Sequence, residues 1–458
     1  MPSCGFGGAG VPERTPATSD LRLFHLADRL RFHQKLRVDL KELEMPEVAP
    51  FAAIRFDAAR AGGDLSALLA PPYDVLDRDD KDSLLAKSNH NIVAVDLPYI
   101  PPKSAGPAEA YDGSAKRLNE WLNAGVLIRE RNPAIYLYYQ RFEHAGRPYT
   151  RRMFIARVRL QPFSEGVILP HEQTFGGPKE DRLALMKATQ CQLSPIFGLY
   201  ADPEDHIGSA CADAASRSPD AKGMLDDVEN RIWIITDKAV IDAVVSTMAA
   251  RRVYIADGHH RYGTALMYRD FLASRQGGSL PADHAANYVM FVLASMDDPG
   301  CLILPYNRAL ADIDLDTVVQ AWSKGAEPAP RDQADVRLFE GRTGKEAPLR
   351  FTSRDVLKTL EPDQCEAWRK LDYAYLHRYL IDELLERKLG GQKPKVRYVK
   401  SAEDAKRTAR DEAGVALLTN ATPMAHLRAV SESGGLMPQK STYFHPKLAT
   451  GLTINPLT

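Results

Sequence analysis

The sequence is short of cysteine, of long apolar runs and of net charge, and each shortage removes a class of protein. Cys4, Cys191, Cys211, Cys301 and Cys365 are scattered through 458 residues with no C-x-x-C spacing. So odd and sparse a set builds neither a disulfide framework nor a zinc site, and a cytoplasmic setting suits it best. No apolar stretch approaches the ~20 residues that span a bilayer, so no membrane partner is expected. Basic and acidic side chains nearly cancel, for a net charge of −1. No global basic field therefore points to nucleic acid. Familiar motifs are missing too: no G-x-x-x-x-G-K-S/T, no G-x-G-x-x-G opening a βαβ unit, no H-E-x-x-H and no G-x-S-x-G. If this chain moves phosphate, it does so without a standard nucleotide loop.

Hydrophobic residues make up 44% and charged residues 26% of the chain, the balance of a globular protein with a sizeable core. The length allows two or three domains. Residues 1–44 differ from the rest. Met1 to Asp20 are rich in Gly, Pro, Ser and Thr, and Leu21 to Glu44 are dense in Arg, Lys, Leu and His. They contain no apolar run of signal-peptide type. They read as a disordered extension, or as the product of an upstream start with Met45 the true beginning; a basic amphipathic helix is the other reading. Residues 45–312 read as an N-terminal and catalytic core. Residues 313–458 read as a C-terminal α/β subdomain whose last segment returns to that core.

The most informative stretch is Val253-Tyr-Ile-Ala-Asp-Gly-His-His-Arg-Tyr262. A β-branched apolar run, Val253 to Ala256, reads as a buried strand that stops at the turn signal Asp257-Gly258. A helical pattern follows. Gly258, His259, His260 and Arg261 thus fall where a strand hands over to a helix N-terminus, with unpaired N–H groups and a positive dipole end. Glycine lets an anion approach the backbone. The alternative is a solvated first turn capped by Asp257, but cations there oppose the dipole unless an anion compensates. The two adjacent histidines point about 100° apart on a helix, which disfavours one shared metal ion.

Three further groups carry chemistry. His171-Glu172 sits in a loop and offers a general base, and Lys179 and Arg182 on the following helix can face a phosphate. Lys440, Ser441 and Thr442, with Lys447 beyond them, suit an oxyanion, although the glycines of a P-loop are lacking. Asp74, in Pro71-Pro-Tyr-Asp74, can hold Mg²⁺ through oxygen or merely close a rigid turn. Elsewhere Asn91 to Leu97 reads as a buried strand, and Ile135 to Phe142 with Tyr149 to Leu160 as a hairpin around Ala145-Gly146. Alternating strand and helix signals, including Val396 to Val399 and Ala402 to Asp411, give an α/β (α+β mixed) fold.

These motifs together resemble a prokaryotic family catalogued as domain of unknown function 1015. The resemblance is carried by Ala70-Pro-Pro-Tyr-Asp-Val75, Pro170-His-Glu-Gln-Thr174, Gly177-Pro-Lys-Glu-Asp-Arg182, Ser194-Pro-Ile-Phe197, Ala256-Asp-Gly-His-His-Arg-Tyr262, Asp298-Pro-Gly300 and Met437-Pro-Gln-Lys-Ser-Thr-Tyr-Phe444. The His-Glu loop and the Asp-Gly-His-His-Arg turn also look like the ParB/sulfiredoxin superfamily, most closely its free-serine kinases. That resemblance implies a ParB/sulfiredoxin-like core with Glu172 as base on a serine hydroxyl. Gly258 to Arg261 would cradle the phosphates, and Asp257 would orient substrate or Mg²⁺. It implies a small-molecule kinase in serine metabolism, with an amino acid as substrate and ATP, ADP or pyrophosphate as donor. The rival is a ParB-like nucleotide-binding regulator without transfer chemistry; a ParB-like nuclease would want a basic surface that is absent here. Two departures stand out. About 85 residues separate Glu172 from Asp257, far more than in the compact kinases. Pro305-Tyr306-Asn307-Arg308 replaces the family's Pro-Thr-His-Arg, so no role is assigned to Asn307.

Overall fold

In a computed structural model that describes residues 45–100, 105–172 and 177–458, the framework is a nine-stranded mixed sheet. Its strands are β1 (Val48–Ala49), β2 (Ile135–His144), β3 (Arg147–Arg159), β4 (Ile168–Leu169), β5 (Ile196–Tyr200), β6 (Ala221–Leu225), β7 (Val228–Ile235), β8 (Val253–Asp257) and β9 (Tyr288–Ser295). The order is β4-β8-β5-β9-β3-β2-β7-β6, with β1 beside β3. β8 runs parallel to β4 and antiparallel to β5, and β9 runs parallel to β5 and antiparallel to β3. The expectations for residues 1–44, and for Gln173 and Thr174 of the His-Glu motif, lie outside the described residues.

Both faces of this sheet are covered, which is why β9 reads as a continuous apolar run. Val289, Phe291 and Leu293 pack on one side with Ile241, Val244 and Met248 of helix α4 (Lys238–Met248). Met290, Val292 and Ala294 face the other side and join a core that runs on into the second sheet. Helices α1 (Arg78–Lys87), α2 (Ala108–Asn123), α3 (Gly177–Thr189) and α5 (His259–Arg275) are the longer of the other helices in this part of the chain. Asp77 caps α1 through a reciprocal bond with Asp80.

A ribbon strand, β10 (Leu302–Leu304), precedes the second sheet, which comprises β11 (Asn307–Leu310), β12 (Ala326–Pro328), β13 (Val336–Glu340), β14 (Glu346–Phe351), β15 (Val396–Val399) and β16 (Val415–Thr419). Its order is β12-β14-β13-β16-β11-β15. Helices α6 (Ala402–Asp411) and α7 (Met424–Glu432) follow β15 and β16. The chain then turns back: β17 (Tyr443–His445) pairs with β10, and Asn455–Pro456 pairs with Cys191–Gln192. The fold is mixed α/β, as the sequence indicates. Among the described residues no helix is long and apolar enough to cross a membrane.

One element differs in kind. Residues 91–97 are no strand; Val93–Asp96 is a single helical turn. The Asn91 side chain explains it. Its carbonyl accepts from Val93 N at 3.0 Å while its amide donates to Ala67 O and Leu69 O. A short buried apolar run cannot distinguish strand from helix by periodicity, and here a local cap decided.

Candidate functional site

The strand-to-helix junction forms as the sequence indicates. A register irregularity between Ile255 and Asp257 breaks the ladder at the end of β8, and such bulges re-aim the side chains beside them. Gly258 follows at φ +91° as the N-cap of α5, which receives no side-chain capping bond. Asp257 is not the cap. Its Oδ2 accepts from Lys447 Nζ at 2.6 Å, and its Oδ1 lies 3.5 Å from Arg261 Nη2. Burial works against ionisation of Asp257, but Lys447 and Arg261 outweigh it and hold the carboxyl well below its ordinary range. Arg261 folds back over the glycine and also donates to Pro195 O.

A Cβ on Gly258 would sit 2.9 Å from the Arg261 guanidinium, in a backbone region L-residues avoid. Gly258→Ala is therefore expected to cost roughly 1–2 kcal/mol, from the left-handed conformation alone. Chemical denaturation measures it; an unchanged midpoint would show that the turn relaxes freely.

His171 ties the second motif to the first. Its Nδ1 donates to Ile255 O at 2.6 Å, its backbone N donates to His259 Nε2 at 3.3 Å, and its O accepts from Met437 N at 2.7 Å. Its Nε2 is hydrogen-bonded to the Thr442 hydroxyl at 2.9 Å. The ring is 1% exposed. Four bonds to three segments fix this residue, so its geometry is that of a positioning group rather than a proton shuttle. Burial, followed by the neighbouring His171, holds His259 well below the imidazole range and so neutral. That agrees with its Nε2 acting as an acceptor. Glu172, next along the chain, pairs with Met437, and its Oε1 lies 3.9 Å from His171 Nε2. The long gap between the motifs is thus closed by direct hydrogen bonds.

Cations gather at this junction. The Lys179 side chain lies across Gly263 of α5, where a Cβ would come within 3.0 Å of its Cε. Burial lowers its pKa, and no carboxylate lies within 4.0 Å of it among the described residues. His260 is also held below its ordinary value, by burial first and then by Lys179, Arg261 and Lys440, with Asp74 opposing. Its Nδ1 is buried without a hydrogen-bond partner. Lys440 is exposed and lies 5.6 Å from the Tyr306 ring.

Some expected ligands are committed elsewhere. Arg182 is buried against Asp96 and Asp181, with its guanidinium 3.9 Å from the Tyr73 ring centre. Ser441 is fully buried and donates to Pro438 O at 2.5 Å. Thr442 serves His171. For Mg²⁺ the two carboxylates differ. Asp74 is exposed, with no cation within 4.0 Å among the described residues, and fits an oxygen ligand. Asp257 already faces two cations, and a metal there would have to displace one. Asp202, Glu204 and His206 also bring ligand atoms within 4.8 Å of one another. However, Asp202 is already taken by Arg251 at 2.8 Å and Ile207 N at 3.0 Å.

Arg308 was not anticipated from the sequence. It is fully buried, donates to His377 Nε2 and Lys440 O at 2.9 Å each, and lies 4.2 Å from the Tyr373 ring centre. Burial lowers its pKa to about 10, and Glu172 is among the groups that favour its charge. Asn307, beside it, spends its Oδ1 on Thr419 N at 3.1 Å.

A family model described as protein of unknown function (DUF1015) matches residues 48–374, and the chain belongs to that family. No curated protein matches it. Among solved structures it is similar to a free serine kinase in complex with AMP (13% identity, 65% of this chain and 92% of that one, TM-score 0.31). It is similar also to a conserved hypothetical protein from Pyrococcus furiosus (12%, 65% and 94%, TM-score 0.32). A third is SbnI with a C-terminal truncation from Staphylococcus aureus (12%, 66% and 87%, TM-score 0.34).

Proposed function

We propose that this member of the DUF1015 family is a small-molecule phosphotransferase that phosphorylates free L-serine from a nucleotide or pyrophosphate. One observation carries the reading. A clamped carboxylate-bearing loop, His171-Glu172, is hydrogen-bonded to an uncapped, cation-lined helix N-terminus. Those are the two halves that phosphoryl transfer to an alcohol requires: a base for the hydroxyl and positive charge around the moving group. The motif resemblance to free-serine kinases supplies the acceptor.

In this mechanism Glu172 takes the proton from the serine hydroxyl as its oxygen bonds to the transferred phosphorus. The bond from that phosphorus to the bridging oxygen of the donor breaks, and that oxygen keeps the electron pair. The N–H groups at Gly258–Arg261, with Lys179, His260 and Lys440, offset the charge on the phosphoryl oxygens. Arg261 and Asp257 hold the turn in shape. Bound Mg²⁺ would neutralise donor phosphate charge, and the exposed carboxylate of Asp74 would hold it.

Phosphorus NMR of the protein with Mg²⁺, L-serine and, in turn, ATP, ADP and pyrophosphate tests this. A phosphoserine resonance with one donor is the expected result. Nucleotide binding without transfer from any donor would sink the kinase and favour a nucleotide-binding regulator.

A further inference from the structure

A cavity of about 350 Å³ adjoins the junction, large enough for a small-molecule ligand. Its walls come from α1, from the turn after β6 and from the returning C-terminal segment, and they include Lys400, Tyr443 and Lys447. Lys447 is fixed. Its ammonium is bonded to Asp257 at 2.6 Å and sits 5.3 Å from the Tyr443 ring centre. Lys400 flanks the same ring at 5.4 Å, and no carboxylate lies within 4.0 Å of it among the described residues. Asp257 stands between Lys447 and Arg261, so the group carries one positive charge in excess before Lys400 is counted. A flexible lysine loses rotamer freedom when it grips an anion. Here Asp257 has already restricted one of the two.

We propose that Lys447 and Lys400 form an oxyanion-binding site on the wall of this cavity, with Asp257 as the positioning residue that aims Lys447. The ligand is a small-molecule oxyanion, either a phosphate of the donor or the carboxylate of the acceptor. The site rests on the phosphotransferase reading but extends it to residues beyond 374, where the family model stops. It also gives Asp257 a task other than metal binding, since Lys447 bonds its Oδ2 and Arg261 faces its Oδ1.

Isothermal titration calorimetry on the full chain tests this with two probes, inorganic pyrophosphate and L-serine. In Lys447→Met and Lys400→Met the affinity for one probe should fall at least tenfold, and Lys447→Arg should keep most of it. Loss with pyrophosphate assigns the anion to the donor, and loss with serine assigns it to the acceptor. Asp257→Asn should weaken the same probe and Asp257→Glu should recover part of it, a pattern that a general loss of packing would not give. Lys400 is exposed, so Lys400→Met keeps the test open should Lys447→Met fail to fold. Wild-type affinity for both probes in both methionine variants overturns the site while leaving the phosphotransferase standing. A wild-type protein that binds neither probe also overturns the site, and the phosphorus NMR decides the phosphotransferase separately.

Discussion

Glu172→Gln is expected to lower the turnover number for phosphoserine formation by about 10²–10⁴-fold, the span general-base catalysis supplies. Donor and serine affinities should stay within a few-fold. The change is nearly isosteric and touches little of the scaffold. The loop is held through the His171 backbone and ring and through the bridge to Met437, not through the Glu172 carboxylate. The Glu172 side chain is one-fifth exposed. Among the described residues no Lys or Arg nitrogen lies within 4.0 Å of that carboxylate, and His171 Nε2 stands 3.9 Å away, so no tight ion pair is lost. An interaction made only in the transition state lowers turnover and specificity constant together. Steady-state kinetics with calorimetric donor affinity gives that signature. A rate within threefold of wild type would show that the base is another group.

The local framework of the site was legible in the sequence. A β-branched run, a Gly at the turn and a helical pattern are short-range signals, and β8, Gly258 and α5 lie where they indicate. What these residues touch was not legible. The assembly depends on His171 reaching Ile255 O and on Lys447 reaching Asp257 across 190 positions. No local pattern encodes a register of that range. Arg182 illustrates the limit. Its spacing from Lys179 places both on one helix, but burial against Asp96 and Asp181 set its role. The β6–β7 hairpin escaped notice for a different reason. Its turn is Asp226-Asp227, both at positive φ, where Asn-Gly or Asp-Gly is the familiar hairpin signal. Arg308 keeps the arginine of the family's Pro-Thr-His-Arg segment, but its burial against Tyr373, with no carboxylate within 4.0 Å among the described residues, follows no usual pairing rule.

Arg182→Met should destabilise the fold by about 3–5 kcal/mol, the usual cost of removing one partner from a buried ion pair. The guanidinium donates to Asp181 Oδ2 at 2.7 Å through Nε and to Asp96 O at 2.6 Å through Nη1. Asp96 and Asp181 are 4% and 0% exposed. Tyr111 and Ser194 satisfy one further oxygen on each, at 2.7 and 2.6 Å, but bring no charge. Burial raises the pKa of Asp96, with Arg182 the main opposing group. Without Arg182, two buried carboxylates lose the guanidinium they share, and protonation is the route to relief. A carboxyl whose folded pKa is raised gives stability that is present below its unfolded pKa and lost as pH rises through the folded one. The variant's deficit should therefore shrink as pH falls from 7 towards 5. Urea unfolding at both pH values measures it, and Arg182→Met combined with Asp96→Asn should recover part of the loss. A deficit under 1 kcal/mol at pH 7, with weakened pyrophosphate binding, would return Arg182 to the phosphate site. A large deficit with donor affinity intact makes it the support beneath α3, from which Lys179 reaches α5.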